Sequence, residues 1–500
     1  MLLFGRGISL VYRRVHQPPM SISLTESERQ VFGLLQSVNT HFKLSATMRV
    51  AGGWVRDKLL GRSCDDIDIA LDNMMGKDFA EYVNKYLAHT GLPTHQIGVI
   101  ASNPEQSKHL ETATMKLCNH WIDFVHLRAE EYTANSRIPI VRIGTPVEDA
   151  MRRDFTINSM FFNLATEAVE DFVGTGLADL KQGVLRTPLA PRETFLDDPL
   201  RVLRAVRFSS RFHFDIVPEI VTAAKLPECH EALLHKISRE RIGAELEGML
   251  KSSTMSMVTR LLREFGIWSI VFPCYPTEDQ QAQVNFDEYA EYTINLLQFV
   301  EQRMHPLFIQ GLSKWPAVAS QEEQKILYLA LLTWYVHRAK MGFLDGKGKL
   351  LSSTSFVLKD ALKFRGRDTE ECARIHDAAD VILAWKRDHV PFDRLSVAMM
   401  IRICGSSWRC AVVVACADCM LHGDSSEAWF LSLLDYAEHE HLSDVYNMKP
   451  LVSGKDISAA LGIPQGPKIG VLSKRALELQ LYFPLLTAAQ IVDALRETGT

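Results

Sequence analysis

The sequence predicts an α+β protein: a head built on a mixed β-sheet, followed by an all-α neck, body and tail. Two observations carry this. Between about Glu26 and Leu180, short β-rich runs alternate with helical patterns; TMRVAGG, DIDIAL, HWIDFVHL and PIVRIG read as strands. After Leu180 the texture changes to long amphipathic patterns, of which DPLRVLRAVRFSSRF and ISRERIGAELEGMLKS are examples. Breaks rich in Pro, Gly, Ser or charge fall near Thr187–Pro191, Ser252–Thr254, Tyr275–Gln280 and Leu344–Lys349. The expected division is 1–28 as a targeting or disordered segment, 29–180 as the head, 181–255 as the neck, 256–400 as the body and 401–500 as the tail.

The chain of 500 residues is 47% hydrophobic and 23% charged, the composition of a globular protein. Its net charge of −5 excludes a general coat for polyanions, so any nucleic-acid contact must come from local basic patches. Nine cysteines, odd in number and scattered, fit a reducing compartment. Four lie between Cys404 and Cys419; the apolar run RCAVVVACADCML points to buried thiols rather than zinc. No apolar run is expected to span a bilayer, since each is broken by Asp, Arg or Pro. The opening MLLFGRGISLVYRRVHQPPM carries three arginines and no acid before Glu26. It reads as a mitochondrial presequence, or as a basic disordered tail. Met20 as an internal start would give a second product for the cytoplasm or nucleus.

In AGGWVRDKLLGRSCDDIDIAL, Gly52-Gly53 follows a strand and precedes a helix beginning near Trp54. Without Cβ atoms, backbone N–H groups can turn toward an anion. In DIDIAL, Asp66 and Asp68 share one strand face, about 7 Å apart along the backbone, while Ile67, Ile69 and Leu71 face the core. Two such carboxylates repel unless a cation sits between them, and oxygen ligands suit Mg²⁺. A solvated edge strand is the alternative. HWIDFVHL offers a third acid, Asp123, amid apolar neighbours; a metal, or a pairing with Arg128, would account for it. A phosphate cradle beside paired acids describes a site for a triphosphate and Mg²⁺.

GGWVRDKLLG with DID, RRDFTINSM, DFVGTGLADL, DDPLRVLRAVRF and ISRERIGAEL occur in that order. This set resembles the five motifs of the class II tRNA nucleotidyltransferases, the CCA-adding enzymes of the DNA polymerase β-like superfamily. SKHLETATMKL, NSRIPIVRIGTP and KPLVSGKDISAALGIPQGPKIG are similar to the eukaryotic, fungal-type members in particular. The resemblance implies a nucleotidyltransferase head and addition of CCA to the 3′ end of tRNA without a nucleic-acid template. CTP and ATP would be the substrates, pyrophosphate would be released, and two Mg²⁺ ions would be held by Asp66, Asp68 and Asp123. It sets Gly52, Gly53, Arg56 and Asp57 against the nucleotide, though Asp57 also reads as a first-turn helix acid. Related products remain open: a poly(A) polymerase, or a CC- or A-adding enzyme. So does another class, a non-catalytic tRNA-binding protein.

Arg153, Asp154 and Asn158 match the motif for the nucleotide's sugar and phosphates. Asp154 and Asn158 are expected on one helix face; a surface ion-pair cluster is the alternative. Asp198 and Arg201 lie three apart on a helix. A carboxylate only accepts and a guanidinium only donates, so the pair fits the Watson–Crick edges of C and A and mismatches U and G. Asp198 also reads as a cap before Pro199. Arg204 and Arg207 continue the spacing toward phosphate or toward acids across the helices, while Leu200, Leu203, Val206 and Phe208 read as core. In ISRERIGAEL, Ser238 reads as an N-cap and Glu240-Arg241 as braces, and Gly174 with Gly176 reads as a hinge. Lys455, Lys468, Lys474 and Arg475 in the tail suit phosphate, and the resemblance implies docking on the tRNA elbow. The HD pair His376-Asp377 is weak grounds for a metal phosphohydrolase. No membrane and no obligate protein partner are expected.

Overall fold

A computed structural model describes residues 21–100, 112–131, 140–252, 254–274, 284–304, 320–339, 342–344, 350–424 and 426–498. The basic stretch up to Met20, the break Tyr275–Gln280, residues 345–349, and parts of SKHLETATMKL and NSRIPIVRIGTP lie outside them. The chain divides into two compact units, Met1–Ile237 and Ser238–Thr500, so the division falls inside the segment assigned to the neck.

In the first unit, helix α1 (Glu26–His41) is closed by a capping box in which Thr25 and Glu28 bond each other's backbone N–H. Glu28 is buried and accepts from Trp54 Nε1 at 3.2 Å and Lys58 Nζ at 2.7 Å. The expected targeting or disordered segment therefore runs too far at residue 28: the fold has begun by Thr25.

Strand β1 (Met48–Ala51) leads through Gly52 into α2 (Gly53–Leu59), then β2 (Asp66–Leu71), α3 (Gly76–His89), β3 (Gly98–Ile100), β4 (Thr112–Leu117) and β5 (His120–His126). A ribbon of β6 (Arg128–Glu131) and β7 (Ile140–Ile143) follows, then α4 (Pro146–Met151), β8 (Phe161–Asn163), β9 (Ala168–Glu170) and α5 (Gly176–Gln182). Seven strands form one sheet in the order β3-β4-β5-β2-β1-β8-β9. All its pairs are antiparallel except β2 with β5, which makes it mixed, as expected. Ile67, Ile69 and Leu71 turn into the core with Phe124, and Phe79 of α3 packs on Phe124 at 5.3 Å between ring centroids.

The rest of the first unit is helical apart from β10 (Val184–Leu185), which pairs in parallel with β11 (Asp215–Ile216). This pair, and β12 (Gly342–Leu344) with β13 (Leu350–Ser352) in the second unit, are exceptions to the all-α expectation. Helices α6 (Pro191–Asp197), α7 (Leu200–Phe212), α8 (Pro218–Ala224) and α9 (Pro227–Lys236) pack on each other. On α7, Leu200, Leu203, Val206 and Phe208 are all buried, as their spacing predicts.

The second unit is helical. Ser238 caps the helix Arg239–Met249 by accepting from the Arg241 N–H at 3.4 Å. Arg239, beside the expected Glu240-Arg241, is a brace: its guanidinium donates to the carbonyls of Ala361, Ile270 and Val271. Burial lowers its pKa to about 10. His376 of the HD pair is fully buried; one ring nitrogen meets the Ala330 carbonyl at 2.9 Å and the other the Thr354 hydroxyl at 2.9 Å. Burial, with His337 alongside, lowers its pKa to about 3, so it serves as a neutral core side chain. Against the expectation from composition, Arg394–Leu421 is long and apolar enough to cross a bilayer. Most of it is buried inside the protein and a 3₁₀ turn at Gly405–Ser407 divides it, as befits core helices. Cys404, Cys410 and Cys416 are buried there, and burial raises the Cys404 pKa to about 12. The last three helices, Gly454–Leu461, Pro467–Tyr482 and Ala488–Thr498, close on their own apolar cluster of Val452, Ile457, Ile469, Leu472, Ala476, Ile491 and Leu495.

Candidate active site

The three acids meet through strand register. Strands β2 and β5 run parallel with Asp68 beside Asp123 and Asp66 beside Trp121. Side chains alternate along each strand, so Asp66, Asp68 and Asp123 all stand on one face. Asp123 is fixed from β4, where Thr114 Oγ1 donates to its Oδ1 at 2.6 Å. Burial, reinforced by Asp66 and then Asp123, pushes the Asp68 pKa up to about 6, while Arg153 pulls the other way. Among the described residues no three His, Cys, Asp or Glu side chains close on a single point. An open row of carboxylates in mutual repulsion fits Mg²⁺, which keeps several water and phosphate ligands rather than taking an all-protein cage.

On the other side of β2, β1 ends at Gly52, whose N–H bonds the Met160 carbonyl at 3.0 Å. Its φ of +67° and ψ of −113° suit glycine, and a Cβ there would lie 2.6 Å from Arg153 Nη1. Gly53 opens α2, as predicted. Arg153 is half-buried, forks onto Asp149 Oδ2 through Nε at 3.0 Å and Nη2 at 2.7 Å, and donates to the Asn158 carbonyl at 3.2 Å. Burial opposes its charge, but Asp149, then Asp68 and Asp154, hold its pKa above the ordinary arginine value.

RRDFTINSM does not form the expected α-helix. It is a bend ending in a 3₁₀ turn, Thr156–Asn158, in which Asp154 and Asn158 are nevertheless joined: Asn158 Nδ2 donates to Asp154 Oδ1 at 2.9 Å. Asp154 Oδ2 accepts Nε and Nη2 of Arg204, both at 2.7 Å. Burial would raise the Asp154 pKa, but Arg204, Asn158 and Arg201 outweigh it and hold it at about 2. Arg56 donates from Nη1 to Asn158 Oδ1 and from Nε to Asp57 Oδ1 at 2.8 Å, and lies over the rings of Phe208 and Phe212. Asp57 is buried and also takes Arg211 at 3.3 Å. Arg56 and Asp57 thus form a buried pair tied to the motif turn through Asn158.

Asp198 sits between α6 and α7 and accepts the Leu200 N–H at 3.2 Å, so it does cap α7. Arg201 is 8% exposed and donates to the carbonyls of Arg152 at 2.7 Å and Thr194 at 3.4 Å. Arg201, in the first turn of α7, also acts on Asp154 through charge, alongside Arg204. Gly174 and Gly176, read as a hinge, lie in a segment tied to the same turn. A Cβ on Gly176 would stand 2.7 Å from the Thr156 carbonyl, and Asp179 accepts the Thr156 hydroxyl at 2.7 Å. In the second unit, Lys455, Lys468, Lys474 and Arg475 are all exposed on the terminal three-helix cluster, and Arg475 pairs with Glu478 at 3.2 Å.

Sequence reasoning missed Asp149. It is buried, binds both Arg152 and Arg153, and is held well below the carboxylate range by those two cations despite its burial. Its signal was present: an acid three and four residues before an Arg-Arg pair. Thr114 and the rings under Arg56 gave none, since their partners lie on distant segments.

Fold and site together define a nucleotidyltransferase with a poly(A) polymerase-type head. Residues 48–186 match the poly A polymerase head domain family, and 213–277 the family described as the probable RNA and SrmB-binding site of polymerase A. The chain is 34% identical to the mitochondrial CCA tRNA nucleotidyltransferase of Saccharomyces cerevisiae, over 95% of this chain and 93% of that one. It is 35% identical to the tRNA nucleotidyltransferase cca2 of Schizosaccharomyces pombe, over 93% and 96%. The chain belongs to the CCA tRNA nucleotidyltransferases, in their class II, fungal-type branch. Its fold is like that of the Bacillus stearothermophilus CCA-adding enzyme in complex with CTP, with a TM-score of 0.64 and 20% identity over 95% of this chain and 98% of that one.

Proposed function

We propose that this enzyme adds CCA to the 3′ end of tRNA from CTP and ATP, one nucleotide at a time, releasing pyrophosphate. The carrying observation is the register that sets Asp68 beside Asp123 with Asp66 on the same face, in a chain similar to named CCA-adding relatives along nearly its whole length. Asp66, Asp68 and Asp123 would hold two Mg²⁺ ions. When bound, these make the attacking hydroxyl more acidic and neutralise charge on the triphosphate. Arg153, beside the Gly52 turn and coupled to Asp68, orients phosphate oxygens. Asp154 and Asn158 are locked by Arg204 and Arg56, so the sugar meets a fixed surface. Asp198 and Arg201 read the base, selecting C and A through the donor–acceptor match. Arg201 spends two N–H groups on backbone carbonyls, which fixes its plane and leaves the others for a base. The tail cations Lys455, Lys468, Lys474 and Arg475 face the phosphates of the tRNA elbow. Action in mitochondria is favoured by the basic opening stretch and by the mitochondrial name of the yeast relative; Met20 as a second start would supply cytoplasm and nucleus.

The test is end-product analysis on tRNA lacking CCA, with CTP and ATP supplied separately and together. CTP alone should give two added residues, and ATP should complete the end only after them. Extension by ATP alone into a long tail would establish a poly(A) polymerase instead, and arrest after CC a CC-adding enzyme. Undiminished incorporation by Asp66→Ala would favour a non-catalytic tRNA-binding role. Arg201→Ala should lose base discrimination more than triphosphate binding; a uniform loss for all four nucleotides would remove the template role.

A further inference from the structure

Two cross-strand rows lie side by side on the acid face. The first is Thr114, Asp123 and Asp68; the second, one step along the strands, is Lys116, Trp121 and Asp66. Trp121 is 60% exposed, Lys116 is exposed opposite it, and no ring contact or hydrogen bond of the indole occurs among the described residues. The groups suited to phosphate, the Gly52 turn and Arg153, lie on the β1 side of β2. Trp121 and Lys116 lie on its β5 and β4 side. In phosphoryl transfer the attacking and leaving oxygens are nearly in line through phosphorus. If pyrophosphate departs toward β1, the attacking 3′-hydroxyl must arrive from the β5 side, and the strand that carries it must cross this second row.

We propose that Trp121, with Lys116 across from it, is the platform for the RNA strand being extended: a base behind the attacking nucleotide stacks on the indole, and Lys116 meets a backbone phosphate. The inference rests on the proposed CCA addition. An indole offers a large rigid face that holds any base, and an aromatic surface flanked by a cation is how single strands are bound without regard to sequence. Such tolerance suits an enzyme whose primer end changes with each addition.

The experiment is steady-state kinetics of the full chain on tRNA lacking CCA, varying tRNA at saturating CTP and then CTP at saturating tRNA. It uses wild type, Trp121→Ala, Trp121→Phe and Lys116→Ala. Trp121→Ala should raise the tRNA KM about 5- to 150-fold, the range for one lost base–aromatic stack, with the change confined to that parameter. Trp121→Phe should recover most of it. Lys116→Ala should flatten the dependence of log tRNA affinity on log salt by about 0.7, one phosphate contact to a single strand. An unchanged tRNA KM in Trp121→Ala overturns the inference. So does a rise in CTP KM alone, which would set the ring against the incoming nucleotide, or a Phe variant as impaired as Ala. Failure of the underlying reading shows elsewhere, as wild-type enzyme that does not extend the RNA.

Discussion

Replacing Arg204 by methionine isolates what the Asp154 ion pair contributes. Asp154 is 8% exposed, and its pKa of about 2 against an ordinary 3.8 is worth about 2.5 kcal/mol in favour of the charged, folded form. Arg204 is the largest favourable contributor, ahead of Asn158 and Arg201. Arg204→Met should therefore cost ~2 kcal/mol at pH 7. Asp154→Asn should cost about as much, and the double variant little more than either, a coupling of roughly 1.5 kcal/mol. The folded pKa lies below the unfolded one. The stability is thus complete above about pH 5 and lost as pH falls through 4 toward 2, and Arg204→Met should flatten that acid limb. Two units make a single global transition unsafe to assume, so the readout is hydrogen exchange of the α7 amides, which report opening of the first unit. Strictly additive losses, or an acid limb as steep as in the wild type, would show that the pair does not hold the motif turn to α7.

Four further substitutions test the remaining assignments. Asp68→Asn should cut nucleotide incorporation ~10³-fold or more. In chelator at pH 7.5 it should also stabilise the protein by about 1–2 kcal/mol, discounted for partial exposure. With the Asp68 pKa raised to about 6, its charge destabilises the fold as pH rises from 3.8 through 6, and a thermal scan showing destabilisation would contradict the acid cluster. Gly52→Ala should cost ~2–3 kcal/mol and raise nucleotide KM by displacing Arg153, while Gly53→Ala, whose Cβ would meet only Arg56 Nη2 at 3.6 Å, should be mild; equal effects in urea unfolding would rule this out. His376→Gln should destabilise the second unit at neutral pH by ~1–3 kcal/mol. Because the folded His376 pKa is about 3, the wild-type advantage should shrink and then reverse as pH falls from 6.5 toward 3, and an advantage constant across that range would refute a neutral buried ring.

The parts of this protein legible in its sequence are those where one strand or helix carries the signal by itself. DIDIAL announced its own alternation, and β2 keeps it from Asp66 through Ile69, after which Ala70 and Leu71 are both buried. HWIDFVHL yielded both its strand and its acid, because an Asp amid apolar neighbours needs a reason. RRDFTINSM misled, since i,i+4 spacing reads as helix, whereas the Asp154–Asn158 bond here spans a bend and a 3₁₀ turn. The surroundings of Arg56 and Asp57 were not legible, since Phe208, Phe212 and Arg211, some 150 residues away in sequence, supply them. Local pattern also did not single out Arg239 beside Glu240 and Arg241, because its bracing role comes from the carbonyls of distant residues.

The bonding around the motif turn bears on how base choice and phosphate alignment are coupled. Arg201 is anchored on the carbonyl of Arg152, whose peptide continues into Arg153. Arg153 stands against the Gly52 turn and answers electrostatically to Asp68. Asp154 is next, tied to Arg204 on the same helix as Arg201, and through Asn158 to Arg56. Arg201, Arg153 and the Asp154–Arg204 pair therefore meet at three consecutive residues of backbone, Arg152 to Asp154, with Asp68 coupled to them through charge alone. Arg201 is buried and donates one N–H to that turn at the Arg152 carbonyl and another to the Thr194 carbonyl of α6, so it has little freedom to follow a mismatched base without moving the turn. A base presenting a donor to Arg201 would leave buried polar groups unpaired, and adjusting to it would disturb Arg153 and the phosphate it aligns. If Asp198 and Arg201 read the base as proposed, selectivity built this way would act on the chemical step as well as on binding, and two side chains could reject U and G without a complementary strand.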